Sequence, residues 1–347
     1  MKKTLILLVA ICVLTMPVKA TEFTAPAAPP NAEKYMPDDS ISFGKDLWHI
    51  VKSVLVDIAP QVTEAISVCT SIIAIQLLIA MVQSISGIAK KSVVLIGTIA
   101  LSALLIKPSG AMIRIGTDTI EAINEYNKLL LPVMTAALAA QGGVSASAAL
   151  YAGTVVFDTV LTIAITKLIL PLLYCYVALG IAFAALEEKI LGNLLDFIKW
   201  LLTWILKITL YVFTGYMAIT GVISGTVDAS ALKATKIAIS GTVPIIGNII
   251  SDASEAILVG TGIVKNTVGV YGALVIISIS LVPFIKIGVQ YLMLKITAGI
   301  TALYAEKKTV AVVEHISSVM GFILAMTCTV SLLLLISIIC FMKGMNV

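Results

Sequence analysis

The chain has 347 residues, of which 59% are apolar and 12% charged, and its mean hydropathy is +1.08. Soluble domains run at about 45–50% apolar and about 25% charged. A water-soluble enzyme is therefore excluded, and an all-α, polytopic transmembrane helical bundle is expected. The net charge of +4 shrinks once Lys2, Lys3 and Lys19 are assigned to a leader, leaving 23 less these three basic residues against 19 acidic ones. That balance calls for neither nucleic acid nor an acidic substrate. Cys12, Cys69, Cys175, Cys328 and Cys340 lie in apolar stretches without paired spacing. They read as small hydrophobes, with no disulfide framework or metal site implied.

Residues 1–20 carry the three parts of a signal peptide: Lys2-Lys3, the apolar run Leu5–Leu14, and Val18-Lys19-Ala20. Small residues at −3 and −1 fit cleavage before Thr21, and the apolar run is too short to span a hydrocarbon core about 30 Å thick. Cleavage places the mature N-terminus outside the cytoplasm. Residues 21–60 then form an extracytoplasmic linker and an amphipathic helix. Pro26, Pro29, Pro30 and Pro37 mark the linker as extended. Within 41–58, Phe43, Leu47, Ile50, Val51, Val54, Leu55 and Ile58 recur at helical spacing, opposite Lys45, Asp46, His49, Lys52 and Asp57. Such a helix either lies on the membrane surface, with Trp48 near the headgroups, or packs on its own bundle.

Residues 61–347 read as a polytopic membrane domain of about eight spans, at 63–84, 92–106, 147–166, 168–186, 200–223, 267–285, 287–304 and 316–342. An eight-span path starting outside puts Lys90-Lys91 and Glu306-Lys307-Lys308 in the cytoplasm, as the positive-inside rule wants, but leaves Lys189 and Lys199 outside. Two stretches, 111–145 and 240–265, mix Gly, Ser and Pro with apolar residues, as re-entrant or broken helices do when they line a protein-walled cavity. Pro132 and Pro171 stand 39 residues apart, as do Pro244 and Pro283. The contexts are alike, LLLPVM with LILPLL and GTVPII with SLVPFI. This spacing points to inverted repeats at 111–225 and 240–344, an arrangement common in transporters.

No nucleotide-binding loop, His-Glu-x-x-His pair or Gly-x-Ser-x-Gly elbow occurs, and His49 and His315 are the only histidines. A membrane-bound enzyme is therefore not expected, and no catalytic residue, cofactor or metal is assigned. Polar groups at membrane depth remain as candidates, because a charge there costs several kcal/mol unless paired or hydrated. Asp158 is the deepest acid, and Lys167, Lys207, Lys286 and Lys295 also interrupt apolar runs. Lys286 and Gln290 share a helix face. A polar path through Asp158, Lys286 and Gln290, with Asp158 paired to a lysine from another span, competes with lysines that snorkel to the interface. In 240–265, Gly247, Asn248, Asp252 and Glu255 would present a broken helix and its carboxylates to a cavity or a partner, or else a helical hairpin with cytoplasmic acids.

The run SGTVPIIGNIISDASEAILVGTGIVKNTVGVYG at 240–272 resembles the central signature of the stage III sporulation protein AE family. Its elements stand here as Gly241, Pro244, Gly247, Ser251, Asp252, Glu255, Val264, Lys265 and Asn266. The remaining layout, a signal peptide, a polar N-terminal stretch and many spans, is similar by hydropathy. The resemblance implies a non-enzymatic component of a multi-protein channel between mother cell and forespore, sited in the mother-cell membrane around the forespore. It also implies partners: a cytoplasmic ATPase, ring-forming membrane proteins and a forespore protein met across the intermembrane space. The family has no catalytic residues to carry over. The rival reading is an autonomous secondary transporter with a polar intramembrane site near Asp158.

Overall fold

The computed structural model describes residues 24–37, 43–85, 90–140, 144–186, 188–219 and 267–344. All regular structure among them is helical: α1 (Pro30–Glu33), α2 (Phe43–Asp57), α3 (Ala59–Ile85), α4 (Lys90–Ala140), α5 (Val144–Ala164), a π-turn (Ile165–Ile169), α6 (Leu170–Leu186), α7 (Lys189–Ile219), α8 (Thr267–Thr301) and α9 (Lys307–Gly344). Within these residues, six stretches are long and apolar enough to cross a membrane: Ala59–Ile85, Lys91–Ala140, Ser147–Leu186, Lys189–Met217, Val268–Thr301 and Lys307–Lys343.

Among the described residues the expected eight spans become six because two anticipated breaks between spans do not occur, and a third, before the stretch expected to be re-entrant, is absent as well. The 92–106 span and the 111–145 stretch merge into α4, a continuous helix of 51 residues that passes through Pro108 and Pro132. The stretch to Ala140 is therefore not re-entrant. Proline removes one hydrogen bond but does not end an apolar helix whose neighbours support it. The spans at 147–166 and 168–186 join through the π-turn, which lies just before Pro171 and absorbs its missing donor. Those at 267–285 and 287–304 form one helix, α8, with Pro283 inside it. The repeat proposed at 111–225 holds the second half of α4, the α5–α6 rod and α7, whereas 240–344 holds α8 and α9 among the described residues.

The rods run alternately up and down. At one end, Gly269 lies against Met342 and Met134, Gly272 against Leu130, and the Tyr216 hydroxyl donates to the Ala149 carbonyl (2.9 Å). At the other, Gln76 Nε2 donates to the Thr309 carbonyl (3.3 Å), the Tyr304 hydroxyl to the Ile73 carbonyl (3.4 Å), and Gly97 meets Ile79. Six rods bring the starts of α4, α7 and α9, with Lys91, Lys189, Lys307 and Lys308, to the same end. The eight-span path had separated Lys189 from the others.

The centre of the bundle is α9. Of its most apolar window 89% is buried, against 28% for α3, the α5–α6 rod and α7. It packs on α4, α5, α6, α7 and α8. Tyr176 and Phe322 pack edge to face with centroids 5.8 Å apart, and His315 sits between Tyr176 and Phe183 above Gly180. Gly116 of α4 lets the backbone of that helix approach Ile323, Met326 and Thr327. In a bilayer, where lipid is as apolar as leucine, such close packing is a main source of helix association. The outward faces of the α5–α6 rod and α7 carry Val156, Val160, Ile163, Tyr174, Phe197, Trp200 and Trp204, a surface suited to lipid.

The 41–58 helix forms as α2 and packs on its own bundle: Ile50 and Val54 are buried against Leu274 of α8, while Trp48 remains 68% exposed. It stops at Ile58 because Pro60 cannot donate to the Val56 carbonyl and its ring clashes there. The Pro-rich segment is not free either. Ala32 and Tyr35 are buried, and the Pro26 carbonyl accepts from the Tyr126 hydroxyl (3.4 Å).

Candidate functional site

Two polar clusters stand out among the described residues, one between rods and one near the surface. The first joins α4 to α5. Asn127 Nδ2 donates to the Asp158 carboxylate (3.5 Å), and one turn away Asn124 Nδ2 donates to the Thr162 hydroxyl (2.8 Å). The spacing i, i+3 on α4 and i, i+4 on α5 puts each pair on facing stripes. Lys128 of α4 is within electrostatic reach of Asp158 but forms no ion pair with it, so the expected pairing of the acid with a lysine from another span is not made by Lys128. Its carboxylate is half-buried. Higher on the same rod, Thr154 and Ser337 share a hydrogen bond between α5 and α9.

The second cluster lies where α2 gives way to α3. Lys34, Tyr35, Asp57, Gln61 and Lys286 line a cavity of ≈ 340 Å³ with Val54, Ile58 and Val282. Lys34 pairs with the Asp57 carboxylate, which also accepts from the Tyr35 hydroxyl (3.1 Å). The hydrogen bond from Lys34, seconded by Tyr35, holds Asp57 below the usual carboxylate pKa. The same bond raises Lys34, while burial, followed by the bond to Asp57, raises Tyr35. This triad pins the N-terminal segment to the α2–α3 junction.

The expected path through Asp158, Lys286 and Gln290 is thus divided. Asp158 belongs to the α4–α5 cluster and Lys286 to the cavity beside Asp57. Gln290, 4% exposed, has no hydrogen-bond partner for its Nε2 among the described residues. Gly241, Pro244, Gly247, Asn248, Asp252, Glu255, Lys265 and Asn266 lie outside the described residues. Asn124 and Asn127 are the functional candidates that sequence reasoning missed. Their signal was available as two amides three apart on the buried face of an amphipathic helix.

That helix carries a further polar feature. Lys107, Arg114, Asp118, Glu121, Glu125 and Lys128 all stand on its outward face, with Arg114 and Asp118 paired at 3.6 Å and their side chains 84% and 64% exposed. Met112, Ile113, Ile120, Ile123 and Leu130 fill the inward face. At the centre of a bilayer each such charge would cost about 2.5–3.5 kcal/mol on insertion scales.

No solved structure matches the chain. A curated relative, Stage III sporulation protein AE of Bacillus subtilis (strain 168), is 24% identical over 227 residues, covering 65% of this chain. The matched stretch spans 57% of that relative's length. The sequence profile described as Stage III sporulation protein AE (spore_III_AE) matches residues 33–344, from α1 to the last turn of α9. A profile match over nearly all of this bundle of membrane-length rods means that the chain belongs to the stage III sporulation protein AE family.

Proposed function

We propose that this protein is a non-enzymatic integral membrane component of a multi-protein sporulation complex that links mother cell and forespore. The observation that carries the proposal is the family match over 33–344, which coincides with a multi-pass bundle. The chain supplies membrane-embedded structure, and partners supply the energy and the rings: a cytoplasmic ATPase and ring-forming membrane proteins. The basic starts of α4, α7 and α9 suit a cytoplasmic end under the positive-inside rule. The N-terminal end of α2, and the ends of α7 and α8 that flank 220–266, then belong to the extracytoplasmic side of the mother-cell membrane. Asp252 and Glu255, which lie outside the described residues, are proposed as candidate partner contacts.

An affinity pull-down of the tagged chain from sporulating cells, with mass spectrometry of what co-purifies, tests this. Recovery of the ATPase and ring proteins is the expected result, and the Asp252→Ala/Glu255→Ala variant recovers fewer of them. A partnerless oligomer would overturn the proposal. It would favour the second reading, an autonomous secondary transporter, whose support is the Asp158–Asn127 and Thr162–Asn124 cluster between two rods. Substrate uptake into vesicles would then be the deciding assay.

A further inference from the structure

The charged face of α4 lies level with a lipid-type surface. Lys107 to Lys128 is a rise of about 32 Å at 1.5 Å per residue, close to a full hydrocarbon core of about 30 Å. The upper half of this stretch is fixed against α5 by Asn124–Thr162 and Asn127–Asp158. Around Thr162 and Asp158, α5 turns Val156, Val160 and Ile163 outward, at 56%, 52% and 55% exposure. The lower half is fixed against α9 by Gly116 on Ile323. Phe322, one residue away, packs on Tyr176 of α6, where Tyr174 points outward. One transverse slab of the bundle therefore presents mostly apolar side chains on the α5–α6 rod, with Lys167 the one exposed charge there, and six charges on α4.

Three surroundings compete for that charged face. Lipid is ruled out by the charges, since side-chain ions find no partners in hydrocarbon. A protein surface fits poorly, because interface cores are depleted in Lys, Glu and Asp, and these are five of the six residues. Arg114 and Asp118 already pair along the helix while keeping most of their surface free, which is the habit of hydrated ion pairs. Water satisfies all six.

We infer that the outward face of α4, from Lys107 to Lys128, lines a hydrated passage at membrane level, open to water and small hydrophilic solutes. Three basic and three acidic residues balance, so the passage does not select by the sign of charge. This inference rests on the bundle being embedded in a membrane and not on the sporulation complex proposed above.

Cysteine accessibility tests it on the full chain in sonicated membranes, where both faces meet the reagent, with Cys175, the exposed native cysteine among the described ones, replaced by Ser. The probes are a cationic and an anionic methanethiosulfonate. The variants are Ala111→Cys, Asp118→Cys, Glu121→Cys and Glu125→Cys on the face, and Val156→Cys and Val160→Cys on α5. Ala111 lies on the charged face and its replacement adds a single sulfur, so at least one variant is close to wild type in packing. Because the thiolate is the reactive form and apolar surroundings suppress it, α4 positions should react at least about tenfold faster than α5 positions. The two reagents should differ on α4 no more than they do on a free thiol. Equal rates on α4 and α5 would place this level outside the membrane and overturn the inference. Refractory α4 cysteines would mean a protein seal and overturn it as well. A consistent preference for one reagent would overturn the claim of sign neutrality.

Discussion

The same substitution at two glycines of α4 separates helix propensity from packing. At Gly110 an added Cβ meets nothing within 4 Å, so Gly110→Ala should gain about 1 kcal/mol from helix propensity alone. At Gly116 the added Cβ runs into Cγ2 of Ile323, with Met326 Cε and Thr327 Cγ2 at 3.6 Å behind it. That methyl is held on the branched Cβ of a helical isoleucine, where one χ1 rotamer dominates, and it cannot swing aside. Overpacking of this kind costs about 1–3 kcal/mol. Gly116→Ala should therefore fall below Gly110→Ala by that amount, and range from neutral to about 2 kcal/mol less stable than wild type. Ile323→Leu removes the offending Cγ2 at nearly constant volume, for less than about 1.5 kcal/mol. In the double variant the two losses should not add, with a coupling of about 1 kcal/mol or more. Reversible denaturation in mixed micelles, with the fraction remaining monodisperse after heating as a second measure, reads all four proteins. If Gly116→Ala matched Gly110→Ala, or if Ile323→Leu failed to rescue it, α4 would not cross α9 at this point and the packing centred on α9 would be wrong.

Asp158→Ala should impair sporulation while protein levels stay near normal, and Asn127→Ala should follow it in direction. Unimpaired sporulation with Asp158→Ala would count against a polar path in the α4–α5 cluster. Thr154→Val leaves Ser337 without its partner on α5, and should cost about 0.6 kcal/mol in the membrane, the average for such bonds, with about 1.7 as the upper range. A double variant with Ser337→Ala that lost as much as the two singles combined would argue against their hydrogen bond. Asp57 has a depressed pKa, so its contribution to docking the N-terminal segment is complete above the ordinary value of 3.8 and is lost as the pH falls through its lower folded value. The docking should thus hold across neutral pH, and Asp57→Asn should speed trypsin cleavage after Lys34 at neutral pH. Cleavage at the wild-type rate in that variant would show that the triad does not hold the segment.

How much of this was legible in the sequence depended on what each feature is read by. Hydropathy found the bundle, because an apolar stretch long enough to cross a bilayer has few alternatives. It miscounted the rods because Lys167 with Pro171, and Lys286, interrupt hydropathy without ending the helix; Pro108 does the same within α4. In water the prolines would break helices; among packed rods the ladder is held on both sides of them. The amphipathic spacing at 41–58 was right, and its partner, Leu274, was not readable because nothing local encodes which rod a stripe meets. Asp158 was visible as an acid in an apolar run. Its partner came from α4, where Asn124 and Asn127 sit among Tyr126, Lys128 and Glu125 and look like part of a solvated face. The same mixture concealed the charged stripe: the intervals between Lys107, Arg114, Asp118, Glu121, Glu125 and Lys128 follow a seven-residue pattern of four and three, with Ala111 filling the gap.

The position of α9 constrains how the bundle is made. It follows every other helix in chain order, yet it is the most buried, and α4, α5, α6, α7 and α8 all pack on it. Until it inserts, Gly116 has no Ile323 to approach, Thr154 has no Ser337, and Tyr176 and Phe183 have no His315. The inward faces of four rods must then be covered by lipid or by one another. Lipid serves the apolar parts of those faces well, since burial in hydrocarbon already satisfies them. It serves Thr154 poorly, and it leaves a small-residue groove at Gly116 that acyl chains fill less closely than a branched side chain does. The small and hydroxyl-bearing positions thus act as the address for α9, and the hydrophobic ones only keep the rods in the membrane until it arrives.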